Sequence, residues 1–280
     1  MTRRGFSLVE LLVAIVVGGL VLGLTFELTN RLQIVGRGRA ERAGLQANLA
    51  TIAGALIREL GPTGFDSLAG SDIALVSSNS VTYRAPRGMA VACRVAIDSI
   101  TLAADRFPEY RSRVPLPGRD SFLLYLPPDS ASAPVGWRAL PLVGGPTGAT
   151  CPTGERGLLY PTVLDSLTAA RSGPTGRAVV RVFESANARA YLSATGWQFG
   201  VEGLSAAAVV QPAAGPLQGA GGLELRGVNR AGLPFVPGGI IAGFEMSVRG
   251  LSSRELAVGA NRATAATDSL QLSLRLHNTP

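Results

Sequence analysis

The side chain with the most unusual surroundings in this sequence is the carboxylate of Glu10. It is the only ionisable group between Leu8 and Phe26, a run that is almost entirely apolar and contains no proline. A carboxylate inside a hydrocarbon layer costs about 2.5–3.5 kcal/mol on insertion scales, so it usually has a partner. Two interpretations are open from the charge alone: Glu10 lies close enough to an interface to be hydrated, or it pairs with a cation of another molecule.

Other residues able to carry chemistry are few. The sequence has two cysteines, Cys93 and Cys151, and one histidine, His277, which are too few ligands for a zinc site of the usual kind. A nucleophilic pair of cysteine and histidine is formally possible, but we expect His277 to lie in a mobile terminus. If this part of the chain is outside the cytoplasm, a disulfide between Cys93 and Cys151 is expected, and two unpaired buried thiols are the alternative.

Neither acidic pairs nor glycine-rich segments in the sequence form a recognisable catalytic arrangement. Asp98 and Asp105 lie in or beside predicted turns, where aspartate is favoured for backbone hydrogen bonding. The glycine-rich segment 144–148 is not followed by the Gly-Lys-Ser/Thr of a phosphate-binding loop. Trp137 and Trp197 are interpreted as core or sheet-edge aromatics. We therefore predict no catalytic residue, no cofactor or metal site, and a protein that is not an enzyme.

Arginine supplies all of the positive charge in this 280-residue chain, whose formal net charge is +7 and which contains no lysine. Proteins that bind nucleic acid usually cluster their basic residues in a stripe. Here the arginines are spread along the chain among acidic residues, and even the densest cluster, Arg37, Arg39 and Arg42, includes Glu41. The charge pattern predicts a solvated surface and does not favour nucleic-acid binding.

The element that must position Glu10 is the apolar run itself, Leu8 to Phe26. About twenty apolar residues are enough for a helix that crosses a bilayer, and a helix satisfies its own backbone polar groups in lipid. Arg3 and Arg4 precede the run and are expected to stay on the cytoplasmic side. The run is longer than the core of a secretory signal peptide, and no Ala-x-Ala cleavage site follows it.

The helical pattern continues beyond the apolar run. Between Arg31 and Leu60 there is no proline, and five apolar residues recur at spacings of three and four: Leu45, Leu49, Ile52, Leu56 and Leu60. This spacing places them on one helix face, with Arg42, Gln46 and Arg58 turned elsewhere. The helix should end at Gly61-Pro62, with Gly61 in a left-handed cap. A single helix from Phe6 to Leu60 would be about 80 Å long.

After Leu60 the pattern changes to short β-prone segments. Ile73–Val76 and Val81–Arg84 are predicted to form a hairpin across 77–80. The segment Leu270–Leu276 alternates leucine with polar residues and should place four leucines on one buried face. Long loops are predicted at Pro127–Pro134, Gly144–Gly154 and Pro212–Gly222. The remaining predicted strands are 91–97, 99–103, 122–126, 137–142, 179–184, 190–192, 197–201, 223–228 and 240–249.

The front of the chain, Arg4-Gly-Phe-Ser-Leu-Val-Glu-Leu-Leu-Val-Ala14, resembles the leader and helix start of type IV pilins and type II secretion pseudopilins. The resemblance rests on a short basic leader, a glycine, a phenylalanine, and then Glu10 at the head of an apolar helix. It implies that a prepilin peptidase cuts between Gly5 and Phe6 and methylates the new amino group of Phe6. It also implies that Glu10 pairs with the Phe6 ammonium of a neighbouring subunit and sets the register of assembly.

The resemblance implies an α+β fold in which a long N-terminal α-helix leads into a β-sheet-rich globular head. The expected divisions are a leader (1–5), a transmembrane assembly half of the helix (6–27), an amphipathic half (28–61) and a periplasmic head (62–280). The chain would be a single-pass protein of the bacterial inner membrane, and after assembly it would lie at the cell surface or at a pseudopilus tip. Its partners would be prepilin peptidase, other pilin or pseudopilin subunits, the inner-membrane assembly platform and membrane lipid.

Within this superfamily the sequence is most similar to minor subunits. Major pilins commonly have a proline that kinks the membrane helix, and here the segment Val21–Thr25 has none. The large head, the turn from Tyr191 to Trp197 and the leucine-rich last strand are similar to PilW-type minor pilins and J-type pseudopilins. The alternative is a membrane-anchored periplasmic binding, adhesion or DNA-uptake protein that uses the same leader. An arginine cluster on the folded head would favour that alternative.

Overall fold

A computed structural model describes residues 7–66, 69–104, 114–127, 136–165, 168, 178–205, 209–236, 239–257 and 263–277. It contains one long α-helix, α1 (Leu8–Leu60), followed by β-strands, and it confirms the predicted α+β class. The helix has 53 residues, which corresponds to about 80 Å at about 1.5 Å per residue. The boundaries of α1 agree with the predicted helix over the residues that are described.

The second part of α1 buries the face that the sequence predicted. Leu45, Leu49, Ile52, Leu56 and Leu60 are all at most 3% exposed. Arg42, Gln46 and Arg58 are exposed on the other side of the helix. Burying an aliphatic side chain of this size contributes about 1.5–3 kcal/mol, so burial of this face stabilises the second part of α1.

Helix α1 ends at Leu60 as predicted, but for a different reason. Gly61 does not have a positive φ, so the predicted left-handed cap is wrong. A Cβ on Gly61 would lie only 2.5 Å from the carbonyl oxygen of Ile57, because the amide of Gly61 still bonds to that oxygen at 2.8 Å. Thr63 then donates its hydroxyl to the Leu60 carbonyl at 2.6 Å, which satisfies one of the free carbonyls at the helix end.

The strands account for most of the chain after the helix. They are β1 (Phe65–Asp66), β2 (Gly70–Ser71), β3 (Ile73–Val76), β4 (Ser80–Val95), β5 (Ser99–Ala103), β6 (Asp120–Leu126), β7 (Gly136–Pro141), β8 (Thr147–Thr150), β9 (Arg156–Pro161), β10 (Ala178–Ser193), β11 (Gly196–Gly203), β12 (Gln211–Ala214), β13 (Leu223–Val228), β14 (Gly243–Ala257) and β15 (Ala263–Arg275). A short 3-10 helix, Ala220–Gly222, precedes β13.

The ten strands β3 to β12 form one sheet, in which β4 and β10 are the central antiparallel pair. On its other edge β10 pairs with β6 near its start and with β11 near its end. The sequence predicted two separate strands within β4, one on each side of Pro86, and two within β10. The structure instead continues β4 through Pro86, and a register shift opposite Val182 and Phe183 leaves Arg87 as the extra residue of a bulge.

The core of this sheet is aliphatic with a few aromatic side chains. Phe122 and Tyr160 are fully buried and their rings meet edge to face, with centroids 5.2 Å apart. The cluster around them includes Ile100, Leu102 and Leu124, each 0% exposed. Phe122 and Leu124 come from β6, and the other three come from the paired strands β5 and β9, so strands that are not paired with one another contribute to the same core.

Five strands were not predicted from the sequence: the two-residue strands β1 and β2, and three longer ones. Strand β8 lies inside the predicted loop Gly144–Gly154, and most of β12 lies inside the predicted loop Pro212–Gly222. Strand β9 was missed entirely, although it pairs with β5 along its whole length. These strands are short and contain glycine or proline, so their pairing comes from neighbouring strands more than from local preference. Most of the predicted loop Pro127–Pro134 lies outside the described residues.

The last three strands form a separate antiparallel sheet in the order β13-β14-β15. The predicted alternation of the final leucines is correct, but their burial is less complete than expected. Leu276 is 7% exposed, whereas Leu270, Leu272 and Leu274 are only half-buried. The reason is that β15 lies at the edge of its sheet.

The chain divides into two compact units. One contains Met1–Ala47 with Leu251–Asp268, and the other contains Asn48–Gly250 with Ser269–Pro280. In the first unit the Gln46 side-chain amide lies 3.5 Å from Asp268 Oδ2, at the limit of a hydrogen bond, and the Ser252 hydroxyl accepts a hydrogen bond from the amide of Ala266. In the second, Asn48 donates its side-chain amide to the carbonyl of Gly215 at 2.8 Å.

Candidate functional site

The residues predicted for processing lie at the start of the chain. Gly5 and Phe6, the predicted cleavage and methylation positions, are outside the described residues, and Glu10 is inside them. Glu10 lies in the first turn of α1 and is exposed. The site can therefore be built from Ser7 onward.

Glu10 has a hydrogen bond within its own chain. The amide of Ser7, the residue just before α1, donates to Glu10 Oε2 at 3.1 Å. The sequence Ser7-Leu8-Val9-Glu10 is the Ser-x-x-Glu pattern of a capping box, in which the fourth residue accepts from the amide of the first. The carboxylate also lies at the positive end of the helix dipole. This capping role was not predicted, although the four-residue pattern is visible in the sequence.

The surface around Glu10 is apolar on all sides of the helix. The large apolar side chains from Leu8 to Phe26 are 53% to 79% exposed. A window of this helix has a mean hydropathy of 2.5, and it is the one described helix long and apolar enough to cross a membrane. A fully exposed apolar cylinder is unfavourable in water but suits lipid or other apolar helices.

Small and hydroxyl residues modify this cylinder. Added Cβ atoms at Gly18, Gly19 and Gly23 would meet nothing within 4 Å, so these positions leave space for a neighbouring helix. Thr25 donates its hydroxyl to the Val21 carbonyl at 2.8 Å, which hides the hydroxyl from apolar surroundings. Glycines on an apolar helix allow close approach of a second helix.

The apolar run ends at an ion pair on the helix surface. Arg31 and Glu27, one helical turn apart, bond to each other, and both side chains are more than half exposed. Exposed pairs of this spacing contribute only about 0.3–0.5 kcal/mol. The position of this ion pair is more informative than its energy, because it marks where the helix surface changes from apolar to polar.

The opposite end of α1 is held by charged and polar contacts. Tyr83 donates its hydroxyl to Glu59 Oε2 at 2.8 Å. Arg87, the bulge residue of β4, lies 3.4 Å from the same oxygen and donates its Nε to Glu184 at 3.0 Å. The bulge is what turns Arg87 toward both carboxylates.

These contacts shift the pKa of two of the groups. Burial, together with the charge of Glu59, raises the pKa of Tyr83, so its hydroxyl stays protonated and can donate. Burial by itself lowers the pKa of Arg87, but the hydrogen bond to Glu184 and the charge of Glu59 outweigh it, and the pKa lies above its usual value. The group is thus a fixed ionic contact between α1, β4 and β10.

A second buried carboxylate holds the chain just after the helix. Asp72 Oδ2 accepts a hydrogen bond from the Gly64 amide at 3.0 Å, and its other oxygen lies 3.7 Å from Arg84. Burial raises the pKa of Asp72 in spite of these favourable contacts. Beside it, the amide of His277 donates to the Thr63 carbonyl at 3.3 Å. The backbone at His277 is therefore tied to the helix exit, contrary to the expectation of a mobile terminus.

The two cysteines are joined in the structure. Cys93 and Cys151 form a disulfide with their Cα atoms 5.6 Å apart, and both residues are buried. Neither thiol is then available for the nucleophilic pair with His277 that the sequence formally allowed. The described residues also contain no group of three or more histidine, cysteine, aspartate or glutamate side chains that could hold a metal ion.

The arginines of the β-sheets are largely paired with carboxylates. Five arginines lack a carboxylate within 4.0 Å in the described part of the sheets and their turns: Arg94, Arg156, Arg181, Arg230 and Arg275. Arg275 lies beside Arg230, and the other three lie on different strands. At least seven others have one: Arg84–Asp72, Arg87–Glu184, Arg119–Asp120, Arg138–Asp165, Arg189–Glu202, Arg226–Glu245 and Arg249–Glu224. Pairing of this kind neutralises the surface that a polyanion would need.

Comparison with known proteins adds one match. The family model described as the prokaryotic N-terminal methylation motif matches residues 1–26, which include Glu10 and most of the exposed apolar cylinder. No curated protein and no solved structure matches the chain. Proteins with this motif are structural subunits that a prepilin peptidase processes. Residues 1–26 thus carry the N-terminal motif of type IV pilins and pseudopilins, and this motif and the apolar helix indicate a membrane-anchored protein of the cell envelope.

Proposed function

We propose that the protein is a minor pilin or pseudopilin, a structural subunit that assembles through α1 into a type IV pilus or a type II secretion pseudopilus. The observation that carries the proposal is the apolar cylinder from Leu8 to Phe26, exposed on every side and matched by the methylation motif. A simple membrane anchor needs the apolar length but not a carboxylate in its first turn. Assembly gives that carboxylate a function.

In the proposed mechanism the leader, residues 1–5, is removed before Phe6, which leaves a positively charged and methylated amino group at the helix start. Among the described residues of a single subunit, Glu10 accepts a hydrogen bond from Ser7. When a second helix packs alongside with an axial offset, its ammonium can approach the exposed side of the same carboxylate. Opposite charges attract strongly where water is excluded, so the pair favours assembled over free subunits and sets their register.

The remaining parts have the roles that their surfaces support. Residues 6–27 would span the inner membrane and later pack in the filament core, and 28–61 would continue as the amphipathic half of the helix. Residues 62–280 would form a head in the periplasm, where a disulfide between Cys93 and Cys151 is stable. Filament subunits, prepilin peptidase, the assembly platform and membrane lipid would be its partners.

The proposal is tested by the mature N-terminus. We expect that co-expression with a prepilin peptidase gives a chain that begins with N-methylated Phe6, as measured by mass spectrometry of the N-terminal peptide. Expression without the peptidase should leave residues 1–5 attached, and a Gly5→Val variant should stay uncut because the bulky side chain lies at the scissile bond. An intact leader in the presence of the peptidase, or a cut downstream of Phe6, would contradict the assignment.

The alternative of an anchored DNA-uptake or adhesive receptor receives less support. It needs an uncompensated basic face, and most arginines of the described strands are paired with carboxylates. Salt-dependent DNA binding by the purified chain, with a slope that reflects several phosphate contacts, would favour this alternative instead.

A further inference from the structure

The outer edge of β15 is an open strand edge in the described part of the chain. Strand β15 has 13 residues and is the last strand of its sheet. In an edge strand about half of the backbone amides and carbonyls point away from the sheet. Between Leu270 and Arg275, none of these outward groups bonds to any other described residue. Such an edge is a template for another strand.

Several other edges of the two sheets are blocked or short. Strand β3 has four residues, and on β7 the Trp137 amide donates to Asp66 and Pro141 has no amide. Strands β8 and β12 have four residues each, and β12 contains Pro212, which has no amide to donate. The outer edge of β13 is already used, because the Leu225 amide donates to Ser78 and the Gly227 carbonyl accepts from Phe235, both at 2.8 Å. The open edge of β15 therefore differs from these described edges.

The side chains on this edge are also incompletely covered. On the central strand β14, Phe244, Met246 and Val248 are at most 2% exposed. On β15, Leu270, Leu272 and Leu274 alternate with exposed polar residues and are only half-buried. One further strand beside β15, with apolar residues at every second position, would pair the backbone and cover these leucines together.

The charge at the end of β15 further restricts which strand could pair with this edge. Arg275 contacts the Arg230 carbonyl at 3.5 Å, and neither arginine has a carboxylate within 4.0 Å among the described residues. An acidic residue on the incoming strand would neutralise this end. A second copy of β15 fits less well, because its segment Leu270–Arg275 contains no acidic residue.

We propose that the edge of β15 from Leu270 to Arg275 is the docking site for an extended strand of an adjoining subunit of a different kind. The incoming strand has apolar residues at every second position and an acidic residue opposite Arg275. This inference rests on the proposed function, since it names a contact within the assembly. Main-chain hydrogen bonds would supply the affinity, and the leucine row and Arg275 would supply the specificity.

The test uses the full chain in detergent micelles and a fluorescent peptide as probe. The peptide alternates leucine with serine or glutamine, and two forms carry glutamate at the first or the last position, to cover parallel and antiparallel pairing. We expect saturable binding by fluorescence anisotropy for one of the two forms. A peptide of the same composition with its leucines in one block controls for partition into the micelle and should not bind saturably.

A charge exchange provides the decisive control. Arg275→Glu is on an exposed position, so the fold should persist, and we expect about a tenfold loss of affinity for the glutamate peptide. A peptide with arginine in place of glutamate should recover binding to this variant. Leu272→Glu should abolish binding, whereas Leu75→Glu, at a 64% exposed leucine of β3, should leave it unchanged.

Three results would overturn the proposal. The first is equal binding of the peptide whose leucines stand in one block. The second is the same loss of affinity for the glutamate and the arginine peptide with Arg275→Glu. The third is self-association of the chain that Leu272→Glu disperses, which would indicate a second copy. None of these measurements depends on cleavage before Phe6. Failure of the β15 contact is thus distinguishable from failure of the pilin assignment, which the mature N-terminus decides.

Discussion

Glu10 has two chemical roles at the start of α1, and a single pair of substitutions separates them. Glutamine can accept the hydrogen bond from the Ser7 amide as glutamate does, but it has no charge. We expect Glu10→Gln and Glu10→Ala to be cleaved by prepilin peptidase to a similar extent. Both variants should then fail to enter filaments, because neither can pair with a neighbouring ammonium.

The measurement for Glu10 is the fraction of the chain found in sheared filaments or in pseudopili, relative to the fraction in membranes. Glu27→Gln is a matched control, because Glu27 lies on the same helix and pairs only with Arg31 in its own chain. Normal incorporation of Glu10→Gln would mean that the carboxylate acts through its cap alone, and the register role would have to be abandoned.

Asp72 gives a prediction about pH. Burial raises its pKa above the ordinary 3.8, so the folded state holds a proton over a pH range in which the unfolded state has lost it. The contribution of Asp72 to the free energy of unfolding therefore falls as pH rises from about 4 through the raised pKa. We expect Asp72→Asn to gain stability relative to the native chain across that range, since asparagine still accepts from Gly64 and has no charge to bury.

The readout for Asp72 is the difference between the denaturant midpoints of Asp72→Asn and the native chain, followed from acidic to neutral pH. The midpoint of Asp72→Asn should rise relative to that of the native chain as pH rises. Asp98→Asn, on an exposed turn, is the matched control and should show no such trend. A difference that moves the other way would mean that the contact with Arg84 outweighs burial.

At the level of single residues, the sequence predicts the roles that depend on residues nearby in the chain. The importance of Glu10 follows from its surroundings in the sequence, and the capping box is visible in four consecutive residues. The role of Arg87 is different, since it depends on a bulge opposite Val182 that forms only when β4 meets β10. The requirement for Gly61 also comes from a close carbonyl and not from its φ angle.

At the level of elements, α1 is predictable because its signal is long. A buried face repeated over five apolar residues leaves little freedom in where the helix lies. The strands are harder, because their limits depend on partners. Pro86 divides β4 in the sequence but not in the sheet, and β9 exists because β5 pairs with it over its full length. Half-burial of the leucines of β15 likewise depends on which strand ends the sheet.

At the level of the whole molecule, the sequence indicates an α+β protein with a membrane helix and indicates little about strand order. The central pairing of β4 with β10 joins segments about a hundred residues apart, Val81 opposite Ala188 for example. No local pattern specifies a pairing of that range. The same limit applies to Cys93 and Cys151, whose approach depends on how β4, β5, β8 and β9 line up.

The disulfide between Cys93 and Cys151 is a test of this arrangement. It joins residues separated by 58 positions, and for a loop of that length the chain-entropy treatment gives about 4 kcal/mol of stabilisation. We expect the double variant Cys93→Ala with Cys151→Ala to lower the free energy of unfolding by about 2–4 kcal/mol, measured by denaturant unfolding followed by tryptophan fluorescence. Trp137 and Trp197 both belong to the ten-stranded sheet, so the signal reports on the part that the bond constrains.

The control for the disulfide is the native chain treated with a reductant, which should unfold at nearly the same midpoint as the double variant. This agreement matters because alanine also removes two buried sulfur atoms, whereas reduction leaves the side chains in place. Alkylation of the unreduced protein should find no free thiol. Two reactive thiols in protein isolated from an oxidising compartment would contradict this arrangement, because with β5 paired to both β4 and β9 the two Cα atoms lie within the range for a disulfide.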